Sequence, residues 1–412
     1  MFFENFWVKV FGAGIFLMFL FTPSADHITA LGLLLSLISF IILFRGSLKN
    51  YLRTPFGFPV IILLLTGLIS ISVALNRNAS LNALLCAIIA IIMFYLIVIY
   101  MRFKPEHCKI ILSLVIISFS IIIFAGLLQF IFNRYSTWMD VTLSNGTVEH
   151  RGRLNSFFIF PNSFSASIVL VLPVIFGAMF LKKLNLFYKI LLLILSGSGV
   201  FCLISTYSRA GWIGFAVAAV VIVYLLGQKK RFIFIPLIVL TLISVSLLLF
   251  LHKETLKSYV FHNYSDKGRQ FIFVKSLKML REHPLTGIGI GNFHDVYPLY
   301  MLPGEEALPE DVSRPWHAHN LFLNMAVEMG LPGLMAFLWF LFNIFRQIRI
   351  SVSGDMEYKE ILYGIMAGLT GFLIFNQIDF VMGDVKSGIY FFVILAFGSG
   401  LSMKRNEVIS VE

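Results

Sequence analysis

Apolar runs long enough to cross a lipid bilayer recur along this chain, and that recurrence constrains its fold more than any other feature. A hydrocarbon core about 30 Å thick takes about 20 apolar residues in helical form. Backbone polar groups inside lipid must bond within their own segment, so the runs are predicted to be helices. Twelve are read, at 6–22, 28–44, 57–74, 81–100, 109–132, 162–181, 189–205, 210–227, 232–251, 320–345, 360–379 and 387–403. Composition agrees: 58% of the 412 residues are hydrophobic and 13% charged, against about 25% charged in a soluble domain. The 44 phenylalanines fit lipid-facing helices rather than the alternating pattern of a barrel. The expected fold class is therefore all-α, a polytopic membrane protein of about twelve transmembrane helices.

The net charge of +11 does not point to nucleic acid, because the basic residues lie mostly in short loops between spans. Arg45, Lys49 and Arg53, then Arg102, Lys104 and Lys109, then Lys182, Lys183 and Lys189, then Lys229, Lys230 and Arg231, then Arg346, Arg349 and Lys359, mark one set of loops as cytoplasmic. An even number of spans puts both termini on that side. The first run, from Phe6 to Phe21, has only Lys9 ahead of its apolar stretch and no small-residue cleavage site, so it is read as an uncleaved span. Cys86, Cys108 and Cys202 show neither metal nor disulfide spacing and are read as packing residues.

The chain divides into 1–251, with nine spans and a smaller outer loop at 133–161; a large outer loop at 252–319; and 320–412, with three spans and a short tail. Inside the large loop, Ile272, Phe273, Leu277 and Leu280 fall at helical spacing within Asp266–Arg281, with Lys275, Lys278 and Arg281 as the polar side. This predicts an amphipathic helix at the membrane surface or closed over the bundle. Gly287-Ile288-Gly289-Ile290-Gly291 has no βαβ surroundings and is read as a tight turn after Pro284 rather than a nucleotide loop.

Four outward features carry possible chemistry. Arg209 stands in a very short loop between two apolar runs, where it is either a snorkelling anchor or a fixed cation for a phosphate. Arg269 opens the amphipathic helix, where free N–H groups and a guanidinium both favour anions; the plain alternative is a solvated loop cation. His317 and His319 lie in Arg314-Pro315-Trp316-His317-Ala318-His319-Asn320. Their spacing alone allows zinc, but no cysteine accompanies them. A general base or proton carrier suits histidine better, with a capping role as the plain alternative. Arg151 and Arg153, followed by Pro161 and Asn162 at the entry to the sixth span, complete the set. Glu328 lies nine residues after His319, half a turn round a straight helix, and is read as a structural acid.

Taken in order, these residues resemble a known family. His319-Asn320, a nine-residue gap, then Gly330 and Gly333 resemble the signature of the bacterial O-antigen ligase and polymerase superfamily. Ser208-Arg209-Ala210-Gly211, Arg269, His283-Pro284-Leu285-Thr286-Gly287-Ile288-Gly289 and Pro161-Asn162 follow the family's layout. The resemblance implies a fold similar to C-type glycosyltransferases. It further implies a multi-pass protein of the bacterial inner membrane with its site facing the periplasm. The implied reaction is an inverting, metal-independent glycosyl transfer that needs no cofactor. The donor would be a glycan on undecaprenyl pyrophosphate, and the acceptor a hydroxyl of lipid A core or of another glycan. On this reading Arg209, Arg269 and His319 are catalytic, and Arg153, Asn162, His317 and Asn320 contact substrate. A polysaccharide polymerase of the same superfamily is the nearest alternative. A transporter or flippase fits less well, since the candidate residues gather at one face and no repeat is visible.

Overall fold

A computed structural model describes residues 2–22, 24–44, 54–132, 153–227, 263–305, 308–353 and 357–403. Every described element is helical. Five helices come first: α1 (Phe2–Phe21), α2 (Asp26–Phe44), α3 (Gly57–Ser72), α4 (Arg77–Phe103) and α5 (Cys108–Ile131). Then come α6 (Pro161–Met179), α7 (Leu186–Ser205) and α8 (Arg209–Leu226). Next come α9 (Asn263–Glu282) and two single turns, α10 (Phe293–Val296) and α11 (Glu310–Ser313). The chain closes with α12 (Leu321–Val352), α13 (Lys359–Ile378) and α14 (Val385–Ser402).

Among the described residues, nine helices are long and apolar enough to cross a membrane, and Asn5–Phe21 and Gly57–Ser72 are shorter apolar helices. Eleven of the twelve predicted spans coincide with these; the run at 232–251 lies outside the described residues, as do Arg151 and the loop residues 133–152. Large apolar side chains stay exposed along the perimeter, among them Leu65, Leu68, Phe124, Ile194 and Val220. Such a surface suits lipid rather than water.

Lipid tails are as apolar as leucine, so helix association here depends on close packing. The central helix, α6, is buried along nearly its full length. Gly177, Gly364 and Gly368 bring it backbone to backbone against α13: Gly177 touches Glu360, Gly364 touches Pro173 and Gly368 touches Leu170, so the two helices run antiparallel. Gly211 and Gly214 set α8 beside α6 in parallel, against Ser165 and Val169, and Gly214 also meets Gly371 of α13. Followed back along the helix, this register puts the backbone of Arg209 level with Ser163, next to Asn162. The same register brings the C-terminal end of α13 to that level. One end of the bundle thus collects the starts of α6 and α8 and the end of α13.

The opposite end carries basic loops. Glu357 there stands 3.8 Å from both Lys109 and Lys183, tying together three of the loops read as cytoplasmic.

Candidate active site

Two helices at the first end begin in the same way. In each, a residue in the left-handed region precedes a polar N-cap. Tyr207 (φ 52°) precedes Ser208, whose Oγ accepts from the Gly211 N–H at 3.2 Å. His319 (φ 50°) precedes Asn320, whose Oδ1 accepts from the Leu323 N–H at 2.9 Å. A left-handed non-glycine residue costs roughly 1–2 kcal/mol, and such strain concentrates at functional sites. Here it turns the chain sharply into the helix and sets Arg209 and His319 at helix mouths. The Asn320 side chain also donates to the Gln377 carbonyl at 3.1 Å, which pins the start of α12 to the end of α13.

Asp379, the first residue beyond α13, joins the candidate residues. Its Oδ1 lies 3.0 Å from His319 Nδ1, and its Oδ2 lies 3.9 Å from Arg269 Nη2 and accepts a short bond from Asn162 Nδ2. Arg269 also donates to the Ile378 carbonyl at 3.2 Å. Burial works to raise the Asp379 carboxyl; the His319 hydrogen bond and the Arg269 charge outweigh it and hold the group below the usual carboxylate range. An ionised carboxylate can only accept, so Nδ1 of His319 donates the shared hydrogen, and in the neutral ring this tautomer puts the acceptor lone pair on Nε2. The Asp379 side chain is 7% exposed, while those of His319 and Arg269 are 24% and 28% exposed. The acid is therefore a buried pedestal, and its two basic partners reach the open side.

The pedestal extends toward Arg209. Arg153 Nη2 donates to Asn162 Oδ1 at 2.8 Å and its Nε donates to the Thr206 carbonyl at 2.7 Å. Thr206 is three residues before Arg209, which is half-buried. A continuous set of hydrogen bonds thus runs from the entry of α8 through Arg153 and Asn162 to Asp379 and His319, and the Arg269–Asp379 ion pair extends it. Both ends of the Asn162 amide are occupied by protein, so the geometry gives Asn162 and Arg153 a holding role.

His317 packs edge-on against His319, with ring centres 4.5 Å apart, and against Phe380 at 4.9 Å. Its Nδ1 faces the His319 N–H at 3.4 Å. Burial, reinforced by His319, pushes its pKa down to about 3, so it stays neutral at ordinary pH. Among the described residues, no three His, Cys, Asp or Glu side chains converge closely enough to hold a metal ion.

Glu328 has partners that the sequence did not show: the Gly291 and Phe293 backbone and the Asn324 side chain. Asn324 Oδ1 in turn accepts from the Ala318 N–H at 3.0 Å. The acid therefore braces the His317–His319 loop from below. The helix breaks two residues on, at Gly330 (φ 73°, ψ 174°), where a side chain would strike Leu285. The turn at 287–291 docks at this break: Ile288 N–H donates to the Val327 carbonyl at 2.9 Å and Gly289 N–H to the Glu328 carbonyl at 3.1 Å. Gly287 (φ 66°) lies directly on the Glu328 backbone, so the glycines serve packing, as the tight-turn reading expected.

The amphipathic helix is present as α9, but its faces differ from expectation. Gly268, Ile272, Lys275, Ser276 and Met279 form the buried stripe, while Phe273 and Val274 are exposed. Lys275 belongs inside because its ammonium donates to Glu305 and to the Tyr300 carbonyl, both at 2.8 Å. Glu305 also accepts from the Leu302 N–H at 2.5 Å, so one member of the acidic stretch fastens the loop to α9.

Asp379 was missed in the sequence. Its signal was available: an acid at the outer boundary of an apolar run, in Gln377-Ile378-Asp379-Phe380, is costly and calls for a partner.

Residues 190–338 match the O-antigen ligase family. A protein of Rickettsia conorii, named "Putative polysaccharide ligase", is 25% identical over 202 residues. That alignment covers 46% of this chain and 46% of the relative, so the chain spans about half the length of the curated relative it matches. Both findings support the O-antigen ligase superfamily. The matched segment contains Arg209, Arg269 and His319, whereas Arg153, Asn162 and Asp379 lie outside it. The apolar helices and this similarity together fit a multi-pass membrane protein.

Proposed function

We infer that the protein is a ligase-like glycosyltransferase. It moves a glycan from undecaprenyl pyrophosphate to a hydroxyl of lipid A core, or of a similar acceptor, on the periplasmic side of the inner membrane. The observation that carries this reading is the Asp379 cluster, which couples one imidazole and one guanidinium at the end of the bundle away from the basic loops.

The geometry supports the following chemistry. The acceptor hydroxyl attacks the anomeric carbon as the bond to the diphosphate breaks. His319 Nε2 takes the hydroxyl proton, and Asp379 holds the ring in the required tautomer and stabilises the imidazolium that forms. Negative charge grows on the departing diphosphate, and Arg269 and Arg209 meet it with fixed donors. Attack from the face opposite the diphosphate inverts the anomeric centre. No step requires a metal ion. Arg153, Asn162 and Asn320 keep the parts in register, and neutral His317 packs the back of the His319 ring.

The test is transfer by purified protein in vesicles supplied with lipid-linked glycan and either lipid A core or a second lipid-linked glycan. Glycan-capped core is the ligase outcome. Longer carrier-linked glycan with bare core would reassign the protein to the polymerase branch. Movement of intact lipid-linked glycan across the bilayer without transfer would make it a flippase.

A further inference from the structure

Trp316 is 75% exposed, the most open large apolar side chain among the described residues of the 263–319 region. Its indole lies flat on the His294 imidazole, with ring centres 3.9 Å apart and planes within 7°. One aromatic face is therefore covered and the other is open. The support beneath is rigid. His294 sits in α10 next to Phe293, which is fully buried. One residue further back is Asn292, whose side chain donates to Ser80 Oγ at 2.6 Å and to the Asn76 carbonyl at 3.1 Å. On either side of Trp316 in the chain, Pro315 is buried and Ala318 is fastened through Asn324.

Leaving 75% of an indole in the open loses burial that an aromatic residue ordinarily gains. Holding it flat against a second ring loses side-chain freedom as well. The neighbours are polar: Arg314 is exposed, Asp295 is partly so, and His317 and His319 follow within three residues. An interfacial tryptophan anchor also leaves its ring at headgroup level, but that role does not call for a second ring stacked beneath it. A flat open aromatic face beside hydrogen-bonding side chains is what a pyranose ring recognises, through its axial C–H groups and its hydroxyls. Three residues span at most about 11 Å, so a sugar on Trp316 lies on the same glycan segment as a hydroxyl at His319.

We propose that the Trp316–His294 stack is a sugar-binding platform that holds a ring of the glycan substrate against the entry to His319. It rests on the glycan-transfer reading for its substrate class, but binding at the platform is measurable without transfer.

The probe is the soluble glycan released by mild acid from the cell's own lipid-linked pool. Titrated into the full-length protein in vesicles, it should change the fluorescence of wild type, and the change should vanish in Trp316→Leu. In the transfer assay Trp316→Ala should raise the glycan KM about tenfold with kcat nearly unchanged, and Trp316→Phe should recover most of that loss. His294→Ala, which removes the support and leaves the indole, should give a smaller KM increase. Wild-type KM in Trp316→Ala, together with fluorescence indifferent to the glycan, would overturn the platform and leave the transfer reading standing. Quenching of Trp316 by brominated phospholipid without a response to glycan would also overturn it, in favour of a membrane anchor. A glycan response without any transfer would uphold the platform and remove the ligase reading.

Discussion

The two ends of the helical bundle handle charge in opposite ways. At one end the Asp379 side chain is 7% exposed and meets His319, Arg269 and Asn162 at once. At the other, Glu357 is 55% exposed and stands 3.8 Å from two lysines that are themselves 64% and 85% exposed. Loose exposed pairs contribute about 0–1 kcal/mol and serve mainly to orient a membrane protein. A buried acid that must be paired is expensive, and proteins keep such groups where chemistry needs them. On the proposed reading, the Asp379 end carries the chemistry and the lysine end the topology.

The largest effect should come from removing the base. His319→Asn should lower kcat about 10²–10⁴-fold in the transfer assay, with the protein present in membranes at wild-type amounts. Asparagine tolerates the left-handed backbone that His319 adopts, so loss of activity would report chemistry rather than folding. Full activity in this variant would remove the distinction between the ends.

Next in size is Arg269→Lys. Lysine keeps the charge but loses the fork that reaches Asp379, the Ile378 carbonyl and a phosphate together, so kcat/KM should fall about 10–10²-fold. The Lys275–Glu305 pair sharpens the comparison from the structural side. Glu305→Ala leaves the Lys275 ammonium with only the Tyr300 carbonyl and the Phe271 ring and should destabilise the protein, read as a lower melting temperature. The smallest effect belongs to the lysine end, where Glu357→Ala should leave transfer unchanged and stability within about 0.5 kcal/mol.

A pH experiment separates the neutral histidine from the proposed base. His317 is held at about 3 in the folded chain, against about 6.5 when unfolded. Between those values the unfolded chain binds the extra proton, so stability falls as pH drops from about 6.5 toward 3. His317→Gln should flatten that part of the thermal-stability profile. An unchanged slope would show that the ring is not enclosed as described.

Eleven of the spans, among them the one that starts at residue 320, and the amphipathic helix were legible in the sequence because each depends on local pattern, namely apolar runs and 3.6-residue spacing. The link between His319 and Asp379 was not, since it joins residues 60 apart, and the Asn162–Asp379 bond joins residues 217 apart. Lys275 was assigned to the wrong face because a lysine reads as solvent-facing until its acid partner, here 30 residues away, is known. Glu328 showed no partner in the sequence for a similar reason. Two of its partners, Gly291 and Phe293, come from a segment that docks where α12 breaks at Gly330, and the third, Asn324, lies one turn back in α12 itself.

The most direct measurement compares single-turnover transfer of labelled lipid-linked glycan by the wild-type protein and by Asp379→Asn, in vesicles of equal protein content. The amide keeps the size of the side chain but loses the charge that sets the His319 tautomer. Transfer should slow about 10²-fold or more while donor binding persists. Equal rates would mean that the buried acid only holds helices together, and that the proposed base does not depend on it.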